Sequence, residues 1–216
     1  MTELLIKGGL GYLLGSIIGS LLIARLTGGV DIRTLGSGNA GATNALRIVG
    51  RKVAFWVLLI DVAKGWIATG RLALWAIPGI APAGPELEAW CVPVCGIAVM
   101  LGHVYPLWFG FRGGKGVATL LGATLGISAS LLLPMVITWL IAVILFGFVG
   151  LASILGALAL AAWIAATNSG PPLLTFGIVS AVLILFTHRA NIARMRAGTE
   201  ARARRLWLFG TRRGQA

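Results

Sequence analysis

From Val117 to Ala166 the chain carries no charged residue at all. In water such a run would need a large domain around it to bury it. A chain of 216 residues, 58% hydrophobic and only 11% charged, holds no such domain. A transmembrane helix takes about 20 mostly apolar residues, so the run is too long for one or two helices and short for three with full loops. It reads as three short helices, over 117–132, 134–149 and 152–167, broken at Pro134 and in the Gly147–Gly150 region ahead of Ser153. Further apolar runs lie at Leu4–Leu26, interrupted by Lys7, at Val53–Ile77, at Glu88–Leu107 and, after the Asn168–Pro172 turn, at Leu173–Phe186. The expected fold is an all-α integral membrane protein of about seven transmembrane helices, one polytopic domain over 1–216 whose 189–216 segment is a basic cytoplasmic tail. Glu3 and the length of the first run do not match a cleavable leader, so that run is expected to remain a span.

Charge placement sets an orientation. Arg33, Arg47, Arg51 and Lys52 lie in 27–52, Arg112 and Lys115 in 108–116, and eight arginines follow position 188. The 78–87 connection holds Glu86 and no Lys or Arg, and 168–172 holds no charge. By the positive-inside rule the N-terminus is outside and the C-terminus cytoplasmic, in a plasma (inner) membrane. The net charge of +12 is therefore explained by topology and does not call for nucleic acid. Arg202, Arg204, Arg205, Arg212 and Arg213 are expected to sit on anionic lipid head groups.

Three polar, glycine-rich segments interrupt the apolar chain: 36–47, 102–116 and 187–200. Under the orientation above all three fall on the cytoplasmic side, with the bend near Ser153. Gly36-x-Gly38-x-x-Gly41 matches a dinucleotide-binding pattern, but no βαβ unit surrounds it. Closely spaced glycines still let backbone N–H groups converge on an anion, and Ser37, Asn39, Thr43 and Asn44 add donors, with Arg47 a charged partner. The competing view is an ordinary polar loop whose Ser and Asn satisfy turns. Gly113-Gly114-Lys115-Gly116 lacks the Ser/Thr and leading glycine of a Walker loop, yet sets a cation in flexible backbone suited to phosphate. Lys115 and Arg112 are alternatively helix-end anchors.

His103 and His188 are the chain's two histidines, and each lies in a polar segment on the same expected face. Asn191 shares a helix face with His188, and Arg194 and Glu200 follow. Asp61 and Lys64, three apart within a span, are costly there and read as functional by default. Lys64 either reaches a site at the cytoplasmic surface or only neutralises Asp61. Cys91 and Cys95 share a helix face, but no further Cys or spaced His completes a metal site, so apolar packing is expected.

Taken together the segments resemble the acyl-phosphate-dependent glycerol-3-phosphate acyltransferases of bacteria, the PlsY family. The resemblance rests on Gly36-Ser37-Gly38-Asn39-x-Gly41-Ala42-Thr43-Asn44 with Arg47, on Gly102-His103-x-x-Pro106 with Gly113-Gly114-Lys115-Gly116, and on His188-Arg189-x-Asn191-Ile192 with Gly198 and Glu200. Asp61-x-x-Lys64-Gly65 also fits; Arg112 and Met195 stand where Lys and Leu are usual. The resemblance implies transfer of a fatty acyl group from acyl phosphate to the 1-hydroxyl of sn-glycerol 3-phosphate, giving lysophosphatidate and inorganic phosphate, with no metal or other cofactor. The expected phosphate ligands are Ser37, Gly38, Asn39, Thr43, Asn44, Arg47, Lys64, Lys115 and Glu200. His103, His188, Asn191 and Ser153 are expected at the reacting centre, Ser153 and Glu200 mostly by resemblance. The His-x₄-Asp pair of CoA-type acyltransferases is absent, since Trp108 and Ala193 stand at the required positions. The alternative function is a membrane transporter of phosphorylated anions, disfavoured because the outward connections lack polar binding groups.

Overall fold

A computed structural model describes residues 1–204 and 206–210. Arg205, Arg212 and Arg213, expected on lipid head groups, lie outside the described residues. In chain order the helices are α1 (Thr2–Gly15), α2 (Gly19–Thr27), α3 (Ala42–Ile48), α4 (Arg51–Ile67), α5 (Pro85–Glu88), α6 (Cys91–Val104), α7 (Val117–Ile127), α8 (Leu132–Phe146), α9 (Val149–Ala166), α10 (Pro171–Thr187) and α11 (Arg189–Arg196). Among the described residues four stretches are long and apolar enough to cross a bilayer alone: Arg51–Leu72, Pro85–Phe109, Ala129–Phe146 and Val149–Ala166. The pairs α1–α2 and α10–α11, each bent by 52°, add two more, and α7 is a shorter apolar helix beside them.

The breaks depart from the sequence expectation in two places. The first apolar run is not one helix: it bends at Ser16–Ile18, and α2 restarts on Gly19. The run after Val117 breaks at Ser128–Leu131 and not at Pro134, which sits in the first turn of α8, where the missing N–H costs nothing. The second break, at Gly147, falls as expected: its left-handed φ of 76° ends α8.

Without a hydrophobic drive between helices in lipid, close backbone approach through small residues holds the bundle. A Cβ on Gly15 would collide with the Val99 carbonyl, and one on Gly102 with that of Tyr12, so α1 lies directly on α6. Gly65 against Thr119 and Gly122 against Val62 do the same for α4 and α7. The remaining core is Met100, Leu120, Met135, Leu160, Ile164, Phe176 and Ile184, drawn from α6 to α10. Cys91 and Cys95 are buried free thiols packed with Ala68, Ala73 and Val99, as the sequence reading held.

Charged residues inside the bundle are paired. At one end Lys7 meets Glu3 at 2.8 Å and donates to the Ala73 carbonyl, while Glu3 accepts from the Ala83 N–H. Nearer the other end Lys64 meets Asp61 at 2.9 Å and donates to the Gly15 and Ile17 carbonyls. Asp61 also accepts from Gly19 N–H at 3.4 Å. The ion pair thus satisfies the backbone groups freed by the break between α1 and α2, which lipid could not do.

Candidate active site

The first polar segment folds as a turn around one asparagine. Asn44 Nδ2 donates to the carbonyls of Ile32 (2.9 Å) and Leu35 (3.1 Å), and its Oδ1 accepts from Ser37 N–H at 3.0 Å. Gly36 and Gly38 have φ of 59° and 69°, and a Cβ on Gly36 would strike Asn44 Oδ1. Asn39 Oδ1 accepts from Gly41 N–H at 2.8 Å, just before α3. Arg33 then ties this segment to the next: held by Asp31, it donates through Nη1 to the carbonyls of Phe109 and Arg112, both at 2.8 Å.

The second segment lies over His103. Gly113 and Gly114 donate to the carbonyls of Val104 and His103. A Cβ on Gly114 would collide with His103 Nε2, so the Gly-Gly pair is the condition for this close approach. His103 is buried, with Nδ1 at 2.8 Å from Lys64 Nζ and 3.4 Å from Asp61 Oδ1. Thr187 Oγ1 donates to the Lys115 carbonyl at 3.0 Å, joining the segment to the end of α10.

The third segment turns sharply at His188 between α10 and α11. His188 Nδ1 lies 2.8 Å from the Ile184 carbonyl. A carbonyl only accepts, so Nδ1 carries the proton and Nε2 is left as an acceptor. One turn on, Asn191 Oδ1 accepts from Lys115 Nζ, and its Nδ2 donates to Glu200 Oε1 at 2.6 Å. Arg194 Nε holds the other Glu200 oxygen at 2.6 Å. Gly150 of α9 lies against Asn191, where a Cβ would press on the amide.

These segments line one cavity of about 670 Å³. Its polar lining includes Ser37, Asn39, Thr43, Arg47, His103, Lys115, His188, Asn191, Arg194 and Glu200. Its apolar lining comes from Leu58 of α4, Leu121 of α7, Met135, Val136, Trp139 and Leu140 of α8, and Val149 of α9. Burial, reinforced by the Arg194 and Arg47 charges and opposed by Glu200, brings the Lys115 ammonium down to about 8. Two cations beside it disfavour a third, and a bound anion would reverse that.

The structure brings most expected site residues together and sets a few apart. Lys64 does not line the cavity; its ammonium is turned toward the α1–α2 break and His103. Gly38 shapes the turn without reaching the cavity, and Arg112 contributes only its carbonyl, to Arg33. Asn44 and Glu200 line the cavity with their polar atoms bonded to neighbouring groups. Ser153 lines it with Oγ bonded to the Val149 carbonyl at 2.9 Å and to Trp139 Nε1 at 3.4 Å. Arg194 and Asp61 also line it, though neither was expected in the site. Arg194 was findable from its place three residues after Asn191 on one helix face.

An all-helical integral membrane protein with cations and an apolar slot in one cavity belongs to the class of membrane enzymes that act on amphipathic substrates. The comparisons narrow the class. The chain belongs to the glycerol-3-phosphate acyltransferase family, whose model matches residues 5–198. The glycerol-3-phosphate acyltransferase of Geotalea daltonii is 42% identical over 189 residues, 88% of this chain and 92% of that protein. That of Coxiella burnetii is 39% identical over 191 residues, 88% of this chain and 93% of the relative. The crystal structure of PlsY (YgiH), an integral membrane glycerol 3-phosphate acyltransferase in its glycerol 3-phosphate form, superposes with a TM-score of 0.82 at 36% identity, covering 92% of this chain and 94% of that one. Its lysophosphatidic acid form gives 0.79. The protein is an acyltransferase and not a transporter.

Proposed function

We propose that this acyltransferase moves a fatty acyl group from acyl phosphate to the 1-hydroxyl of sn-glycerol 3-phosphate. The observation that carries the reading is a cavity lined both by cations and hydrogen-bonding side chains and by apolar side chains of α7, α8 and α9. One phosphate would not use so many donors; two phosphorylated substrates would. Ser37, Asn39, Thr43 and Arg47 on one wall, and Lys115 and Arg194 on the other, hold the phosphates. The slot holds the acyl chain.

In the reaction the glycerol hydroxyl oxygen attacks the acyl carbonyl carbon, and the bond from that carbon to the phosphate oxygen breaks. The hydroxyl proton ends on the departing phosphate, so lysophosphatidate and hydrogen phosphate are the products. The donor is already activated, and Cys91 and Cys95 lie away from the cavity. Direct attack is therefore the simplest route. In this reading His188, its Nδ1 occupied by the Ile184 carbonyl, receives the hydroxyl hydrogen bond through Nε2, and Asn191, held by Lys115 and Glu200, serves the same centre.

The arrangement in the bilayer is part of the proposal: seven crossings, with α7 a short one, an outside N-terminus, and the cavity on the cytoplasmic face of the inner membrane. The basic connections at the cavity end and their absence at the other support it. Purified protein given palmitoyl phosphate and glycerol 3-phosphate should form lysophosphatidate and release phosphate, and palmitoyl-CoA should not replace the donor. A well-folded sample inactive with palmitoyl phosphate would overturn the reading.

A further inference from the structure

The Asp61–Lys64 pair lies beside the cavity, and the reaction above makes no use of it. Both residues are almost wholly shut from solvent, at 0% and 3% exposure, in a place where ionised groups are expensive. Part of their role is the capping of the α1–α2 break. That does not account for His103, whose ring is the fourth neighbour of the Lys64 ammonium.

Lys64 Nζ has the Ile17 carbonyl at 2.6 Å, His103 Nδ1 at 2.8 Å, Asp61 Oδ1 at 2.9 Å and the Gly15 carbonyl at 3.0 Å. An ammonium offers three protons and no lone pair, so these four groups share three protons and none of them can donate to it. An N–H on His103 Nδ1 would face that donor head on. The competing partner, Asp61 Oδ1, is farther from Nδ1, at 3.4 Å, and already accepts from Lys64 at 2.9 Å and from the Gly19 N–H. His103 Nδ1 therefore has no proton, and the neutral ring carries its N–H on Nε2. Among the described residues no group bonds Nε2, and it is not among their unpartnered atoms sealed from solvent, which are Asp61 Oδ2, Thr119 Oγ1 and Thr124 Oγ1. His103 lines the cavity and its Nε2 lies beside Gly114, so we take Nε2 as the ring atom left for a cavity ligand.

We propose that Lys64, fixed by Asp61, is a positioning residue that locks His103 as the Nε2–H tautomer, so that His103 donates a hydrogen bond to a substrate oxygen and does not accept the hydroxyl proton. The inference deepens the acyl-transfer reading and rests on it for the identity of that oxygen. It also divides the two histidines: His188 is held with Nε2 as an acceptor, and His103 with Nε2 as a donor. A donor aimed at the carbonyl or phosphate oxygen gains strength as negative charge collects there, which is worth roughly 10²–10³ in rate for one such group.

The tautomer is read directly from tag-free, ¹⁵N-histidine-labelled protein in lipid nanodiscs by long-range ¹H–¹⁵N correlation. With two histidines in the chain, a His188→Gln sample serves only to assign the spectrum. We expect His103 to show a protonated Nε2 and a bare Nδ1; an Nδ1–H ring or an imidazolium at neutral pH would overturn the proposal. The kinetic companion compares two amides. His103→Gln carries an N–H near the Nε2 position and should stay within about 10-fold of wild type, whereas His103→Asn, which reaches only to Nδ1, should lose about 100-fold or more. Equal losses, or the reverse order, would overturn the donor role. The tautomer needs no turnover, so protein inactive with every donor but showing Nε2–H would defeat the acyl-transfer reading alone.

Discussion

Lys115 and Asn191, 76 positions apart, meet across the mouth of the cavity, the ammonium donating to the amide oxygen. The amide's other end is held by Glu200, which in turn holds Arg194. The contact locks the second and third polar segments into one wall and keeps a cation where a phosphate would lie. Lys115→Ala removes both functions. It should lower kcat/KM by about 10²–10³, the size expected for one preorganised charged donor, while membrane insertion persists. Rates close to wild type would remove Lys115 from the site.

The same residue sets a pH dependence. The Lys115 ammonium is brought down to about 8, so in the free enzyme the charged, anion-binding form prevails below that pH and is lost above it. We expect kcat/KM to fall as pH rises through about 8. A bound phosphate restores favourable charge to the ammonium, so the corresponding limb of kcat should lie at higher pH. In Lys115→Arg the guanidinium stays protonated, and the limb should vanish from whatever activity remains. Profiles of kcat/KM for wild type and variant, taken with the same acyl phosphate, decide it: a limb that survives in the arginine variant belongs to another group.

The helical membrane fold was legible because a charge-free run such as Val117–Ala166 admits few other solutions. The positions of its breaks were less legible. Pro134 looks like a breaker in sequence, yet in a first turn it is harmless, and Ser128 ended the preceding helix instead. Most of the site was legible because Asn, His, Lys and Arg are conspicuous among Leu and Ile. Composition could not tell a ligand from a frame. Asn44, Lys64 and Glu200 look like site groups in sequence, and only their partners, at 2.6–3.1 Å, show that they are spent on the protein itself. Trp139 and the other walls of the slot carried no signal, since an apolar residue facing a cavity and one facing lipid are the same in sequence.

Asn44 gives a test of the frame. Its amide satisfies two carbonyls and one N–H in a turn that contains left-handed Gly36 and Gly38. Asn44→Ala leaves those backbone groups unpaired, a cost of about 1–3 kcal/mol for a buried group. Thermal unfolding should shift down, and KM for glycerol 3-phosphate should rise more than kcat falls, because the loop that presents Ser37 and Asn39 loosens. A kcat effect with unchanged KM and unchanged stability would instead give Asn44 a direct part in the chemistry.

The apolar slot makes the last prediction. Val136 lines it from α8 with Met135, Trp139 and Leu140, and Leu121 of α7 and Val149 of α9 line it as well. Val136→Trp adds a large ring to a space the acyl chain needs, while the polar end is untouched. Each methylene buried in an apolar site is worth about 0.8 kcal/mol, so losing room for three methylenes should cost a long donor on the order of 50-fold in kcat/KM. A shorter donor that ends before the ring loses nothing. The ratio of kcat/KM for palmitoyl phosphate to that for decanoyl phosphate should therefore fall sharply, with KM for glycerol 3-phosphate unchanged. If both donors weaken equally, the acyl chain does not run along α8, and the slot is filled by something other than substrate.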